Sequence, residues 1–307
     1  MTCTTEKTTK LFPAMGTLIS LTAFDAAGAG ALEEAKRRVL ELHRKWNAFD
    51  PESEISRVNR MAGVGFTEVS EDTFRVIARS VHYAELSGGA FDITAGPAAM
   101  LWKQAIKAGR MPAEEEIKAA KELICFRDIL LDAGRNAVML RRRRQRIDLG
   151  AVAKGYAADE VKRLLREAGA ENALLNLGGS VTVLGAPRAV GVQNPFAKTG
   201  EPFAFTSLEN RSAVTSGVYE QQTVLNGRQI HHIVDPRTGR PSATELAGVT
   251  LIGDRAETLD ALCTAALASD TGAAMKLAES CGAEAVLIAR NGGVYLSKGL
   301  KNNFRFI

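Results

Sequence analysis

Two side-chain oxygens fall one helical turn apart in ETLDALCTAALAS, Glu257 to Ser269, whose apolar spacing predicts an amphipathic helix. Asp260 and Thr264 share a face there, so both can reach one hard cation such as Mg²⁺, which takes oxygen ligands. Two helix ligands leave such an ion largely hydrated, and a backbone carbonyl and phosphate oxygens have to complete its octahedron. Alone, Asp-x-x-x-Thr is a common and weak pattern. A second stretch, Ile147 to Val161 (IDLGAVAKGYAADEV), reads as an apolar strand end meeting Gly150 and then an amphipathic helix. A helix start leaves N–H groups unpaired at the positive end of its dipole, and Asp148 and Lys154 add one charge of each sign beside it. That combination suits a phosphate with its metal ion. The same residues also read as an ordinary strand–turn–helix junction with small packing side chains.

Asp92 lies in AFDITAGP, Ala90 to Pro97, just after Gly88 and Gly89. It either presents a carboxylate to a polar ligand or caps a helix that Pro97 helps to start. In RQIHHIVDPRTGRPS an alternating strand ends at Asp235, and His231 and His232 point to opposite faces of it, so at most one looks into a given pocket. Phe49, in AFDPESEISRVNR, lies over a ligand ring or closes the core. Gly16 after Met15 allows a close backbone approach or a bend.

Periodicity supplies the elements that hold these groups. Leu18 to Phe24 alternates as a strand, and residues 31–47 form a helix with Leu32, Ala35, Val39, Leu42 and Trp46 on one stripe. A helix from Glu71 to Leu86 turns Phe74, Ile77, Val81 and Ala84 inward and stops at Gly88 and Gly89. Helices from about Leu101 to Ala108 and Ala113 to Leu123 follow. The runs ILL and AVML flank the turn Asp132 to Asn136 as a hairpin, and Arg141 to Arg144 reads as a hairpin tip or a patch for a phosphate or partner. In ALLNLGGSV the pair Gly178 and Gly179 marks a bulge or a backbone pressed against another group. Strands are expected near Ala189 to Val192, Phe203 to Phe205 and Ala213 to Thr215, then a helix from Ala273 to Cys281 and a terminal hairpin.

With 307 residues, 46% of them hydrophobic and 24% charged, the chain can bury a large core. The net charge of +4 is small and concentrated in the arginine run, and nucleic-acid binding would need a broad basic face or a reading motif. Cys3, Cys125, Cys263 and Cys281 have neither CxxC nor framework spacing, so reduced thiols are expected. No apolar run precedes Cys3 and none approaches a membrane span, so a cytoplasmic protein is expected. Residues 1–10 are expected to be flexible, with one domain over 11–307.

In order along the chain, AMGT, FDPESEISRVN, GGAFDITAGP, IDLGAVAKGYAAD, NLGGS, TSGVYE, HHIVDPRTG and LDALCTAAL resemble the ApbE-like flavin transferases, the FAD:protein FMN transferases. The likeness runs from about Leu11 to Phe306. It implies a mixed α/β (α+β) fold of the ApbE or T-fold-like type, with largely antiparallel sheets flanked by helices. It also implies Mg²⁺ and FAD. The pyrophosphate of FAD is broken, FMN is joined through its phosphate to a threonine or serine hydroxyl of a target flavoprotein, and AMP leaves. By resemblance, Asp260, Thr264 and the Ala151 carbonyl ligate the metal. Met15, Phe49, Ala90, Phe91, Asp92, Asp148, Lys154, Ile233 and Cys263 contact FAD. His232, with Asp260, is catalytic and accepts or relays the target hydroxyl proton. Phe49 stands where relatives often carry tyrosine, which keeps stacking and loses a phenolic hydrogen bond. The alternatives are a Mg²⁺-dependent FAD pyrophosphatase, releasing FMN and AMP, and an FAD-binding protein without turnover.

Overall fold

An unbroken apolar strand needs cover on both faces, and Leu246–Gly253 is buried along its whole length. The computed structural model describes residues 7–218, 222–225, 228–231 and 233–307. In chain order its elements begin with β1 (Thr8–Ala14), β2 (Thr17–Ala23), α1 (Ala26–Trp46), α2 (Glu54–Arg60), β3 (Thr67–Glu68), α3 (Glu71–Leu86), α4 (Gly96–Lys107) and α5 (Glu114–Glu122). Then come β4 (Ile129–Asp132), β5 (Ala137–Leu140), α6 (Ala153–Glu167), β6 (Ala173–Leu177), β7 (Ser180–Leu184), β8 (Arg188–Gln193), β9 (Pro202–Leu208) and β10 (Ser212–Gly217). The rest are β11 (Gln222–Leu225), β12 (Arg228–His231), β13 (Val234–Asp235), β14 (Arg240–Pro241), β15 (Leu246–Gly253), α7 (Ala256–Leu267), α8 (Thr271–Ser280), β16 (Glu284–Ala289), β17 (Val294–Leu296) and β18 (Phe304–Phe306).

The main sheet has eight strands in the order β1-β2-β6-β7-β10-β15-β16-β17, and its neighbours are antiparallel. Period-two alternation divides its side chains between two cores. Val214, Leu251 and Leu287 join the larger core with α1, α6 and α7, while Ala213, Ile252 and Ile288 meet Val190, Val192 and Leu208 of a small sheet ordered β18-β9-β8. A third cluster, around Trp102, Ile117, Ile230 and Val234, joins α4 and α5 to β12 and β13. The mixed, largely antiparallel α+β architecture expected above is present, and among the described residues no helix is long and apolar enough to cross a membrane.

Several local readings change. Residues 8–10 are not a flexible lead: Thr8 to Lys10 pair with Leu21 to Ala23 as part of β1. Ile147 to Leu149 is not a strand and joins no ladder; Ile147 is held instead by Asn59, whose side chain accepts from its N–H at 2.8 Å and donates to its carbonyl at 3.0 Å. The arginine run is a turn after β5 rather than a hairpin tip, where Arg142 pairs with Asp128. Of the two readings of Gly178 and Gly179, the bulge is absent and the backbone pressed against another group is present; both have positive φ, 61° and 87°, and make the two-residue turn between β6 and β7. Met15 and Gly16, at 51° and 75°, make the equivalent turn between β1 and β2. The two turns pack together, and a Cβ on Gly178 would lie 2.4 Å from Thr17 Oγ1.

Candidate active site

The first turns of α6 and α7 meet backbone to backbone. Gly155 permits this: a Cβ there would stand 2.3 Å from the Ala256 carbonyl oxygen. Asp159, one turn further along α6, reaches across and accepts from the Ala256 and Glu257 amides, both at 3.0 Å, which caps α7. Burial pushes the Asp159 carboxyl up, against these two hydrogen bonds. With α7 fixed in this way, buried Asp260 accepts from the Gly155 N–H at 2.9 Å through Oδ2. Its Oδ1 lies 3.5 Å from Lys154 Nζ, which also donates to the Gly150 carbonyl at 3.1 Å. Thr264 sits one turn on, its hydroxyl donating to the Asp260 carbonyl at 3.4 Å.

Asp260, Thr264 and Ala151 open onto one cavity of about 320 Å³ together with Lys154 and Asp148. Ala90, Phe91, Asp92 and Ile233 line its other walls. The start of α6 is less open to an anion than a bare helix end. The Val152 and Ala153 amides both donate to the Leu149 carbonyl, at 3.0 and 2.9 Å, and Gly155 is taken by Asp260. The Lys154 ammonium adds positive charge at the cavity beside this partly occupied helix start. Asp148 is exposed and accepts from the Gly150 N–H at 2.8 Å.

Asp92 lines the cavity and also caps, though it caps the short 3-10 turn Ile93–Ala95 and not α4, which starts after Ala95 without a side-chain cap. Its Oδ1 accepts from Thr94 N and Thr94 Oγ1 at 2.8 and 2.6 Å, and its Oδ2 accepts from Phe126 N at 2.9 Å. Burial raises its pKa against those bonds. Phe49 is not core: it is 71% exposed, under Lys103 Nζ at 4.6 Å, and lines an adjoining cavity of about 380 Å³ with Trp102 and Arg146. Met15 borders a third space, its N–H donating to His43 Nδ1 at 3.3 Å. The Cys263 side chain does not line the cavity. It is wholly buried, Sγ donates toward the Val214 and Val249 carbonyls, and burial pushes its pKa up to about 12. His232 lies outside the described residues. His231 is buried, with Nε2 2.8 Å from the Ser242 carbonyl oxygen.

Residues 15–287 match the ApbE family. The chain belongs to that family. A relative from Klebsiella pneumoniae named FAD:protein FMN transferase is 35% identical over 66% of this chain and 63% of that protein. Another of the same name, from Treponema pallidum, is 31% identical over 90% of this chain and 82% of its own length. The crystal structure of the ApbE protein of Thermotoga maritima superposes with a TM-score of 0.89 at 28% identity, covering 97% of this chain and 99% of that one. The flavin transferase ApbE of Vibrio cholerae shares the fold, with a TM-score of 0.84 at 24% identity.

Within this ApbE-family site, some cavity residues escaped the reading of the sequence. Thr215, Ser216 and Gly217 line the cavity from the end of β10, and Gly96 and Ala99 from the start of α4. The segment TSGVYE carried the signal for the first group. Asp159 closes the motif IDLGAVAKGYAAD, but its role was not legible, because a cap supplied by a different helix leaves no local pattern. Among the described residues no group of three or more His, Cys, Asp or Glu side chains could hold a metal unaided.

Proposed function

We propose that the chain is a Mg²⁺-dependent FAD:protein FMN transferase acting on a threonine or serine hydroxyl of a target flavoprotein. The observation that carries the reading is the Asp260–Lys154–Thr264 cluster at the wall of a cavity in an ApbE-family chain. The donors fit Mg²⁺: a carboxylate, a hydroxyl and the Ala151 carbonyl are all hard oxygens, too few to fill an octahedron without phosphate oxygens and water. Asp260, Thr264 and the Ala151 carbonyl would hold the ion, which would supply charge neutralisation at the pyrophosphate.

The chain's own groups supply the rest. Asp260 is held in place by Gly155, so it orients without reorganising. Lys154 offsets the charge that accumulates as the hydroxyl oxygen bonds to the FMN phosphorus and the bond from that phosphorus to the bridging oxygen breaks. AMP leaves with that oxygen, and the hydroxyl proton passes to a base. His232 is proposed as that base from the sequence alone; its neighbour Ile233 lines the cavity. Ala90, Phe91 and Asp148 are proposed to hold FAD at this cavity, with Phe49 at the next and Met15 at the rim.

Co-expression with a flavoprotein domain bearing an acceptor threonine tests the reading by mass spectrometry. A Mg²⁺-dependent mass gain of one FMN, with AMP formed, is expected. AMP and free FMN without an adduct would make the protein a pyrophosphatase, and no AMP at all would leave it a flavin binder.

A further inference from the structure

The main sheet is covered on one face by α1, α6 and α7 and on the other by β8, β9 and β18, but the second cover leaves the end near the β6–β7 turn bare. There Leu18, Asn176, Val181, Thr215 and Thr250 floor a groove of about 830 Å³, walled by Gly191, Gln193, Pro202 and Phe205. Lys154, Gly178 and Thr215 line both this groove and the Asp260 cavity, so the two are continuous. Two large apolar side chains stand open in it, Leu18 at 62% and Phe205 at 40% exposure. Among the described residues lining it, Lys154 alone carries a charge. Among the described residues β8 is an edge of its sheet and pairs only with β9, which leaves one side of its backbone to an added strand.

The other opening differs in chemistry. Lys103, Arg146, Phe49 and Trp102 line it, a set of cations and rings that suits an anionic flavin dinucleotide. Phosphoryl transfer requires the attacking and leaving oxygens roughly in line, so the acceptor has to enter from a side the nucleotide does not occupy.

From this we infer that the groove docks an extended, uncharged segment of the target protein and delivers its hydroxyl past Lys154 to the cavity. The inference rests on the transferase reading. Its test uses a synthetic peptide library with one central threonine and randomised flanks, incubated with FAD and Mg²⁺, beside the acceptor domain described above. The wild-type protein labels peptides with uncharged flanks preferentially. Leu18→Glu and Gln193→Glu, neither in the cavity that holds Asp260, shift labelling toward lysine-bearing flanks by about tenfold, with FAD affinity by flavin fluorescence unchanged. Unchanged flank preference in both variants overturns the docking site. Labelling of the domain but of no peptide also overturns it. Labelling of neither overturns the transferase reading itself.

Discussion

Asp260 does two things with one carboxylate: it accepts from a backbone amide and it faces the Lys154 ammonium across the cavity wall. Asp260→Asn keeps an oxygen for Gly155 and loses the charge. Transfer is therefore expected to fall by about a hundredfold or more, while FAD still binds and the fold persists, as read by AMP formation and circular dichroism. Activity within about twofold of wild type would exclude the carboxylate from the phosphate chemistry. Cys263 provides the contrast. It lies between Asp260 and Thr264 in sequence yet faces the core, so Cys263→Ala is expected to leave FAD affinity unchanged and to lower stability by about 1 kcal/mol, measured by urea unfolding. Within a single turn α7 presents Asp260 and Thr264 to the cavity and Cys263 to the core, and the spacing of Asp260 and Thr264 made the cavity face legible, whereas the family motif alone swept in Cys263. Asp92 shows the other limit. A carboxylate in a glycine-flanked loop is equally apt for ligand or cap, and only the positions of Thr94 and Phe126 show that it caps.

Elements were legible where periodicity was strong and junctions were not. The reading of α3 as Glu71 to Leu86 matches the structure because an apolar stripe ends at a glycine pair, whereas β1 begins with the polar run Thr8 to Lys10, which reads as a flexible lead. The α6–α7 contact was invisible, since Gly155 is a helix-interior glycine whose reason is a neighbour far along the chain. Gly155→Ala is expected to push the helices apart, costing about 2–3 kcal/mol and at least tenfold in transfer rate. A variant with normal stability and rate would show that the close approach is not required. A second tie gives a pH dependence. Asp72 of α3 bonds Arg38 and Lys45 of α1 and the Tyr156 hydroxyl of α6. Burial alone would raise its pKa, but the two cations win and hold it at about 2, below the usual 3.8. A depressed carboxylate stabilises the fold above its unfolded pKa, and the gain disappears as pH falls through the folded value. Discounted for partial exposure, wild type should exceed Asp72→Asn by about 1 kcal/mol near pH 6, the difference fading between about pH 4 and pH 2. A constant difference across that range would remove the ion pairs as its source.

At the scale of the molecule, the cavities lie where two cores face each other. Asp260 and Lys154 belong to elements of the large core, while Gly96, Trp102 and Ile230 belong to the α4–α5–β12 side, which is clasped by the Trp102 indole N–H donating to the Gly239 carbonyl at 2.9 Å. FAD spanning both cavities would therefore tie the satellite cluster to the main sheet. Binding to the native state alone stabilises by about 2.7 kcal/mol at a hundredfold excess over Kd, which for a chain of this size corresponds to a rise of about 5 °C in melting temperature. Chelation of Mg²⁺ should reduce that rise, because the phosphate end then loses its counter-charge. Hydrogen exchange locates the effect. With FAD bound, amides around Phe49 and in the second half of α4, from Trp102 on, should slow together with those of α7, since one ligand bridges both cavities; slowing confined to α7 and the first turn of α4, which lines both, would place FAD at the Asp260 cavity alone and take Phe49 and Trp102 out of the binding site.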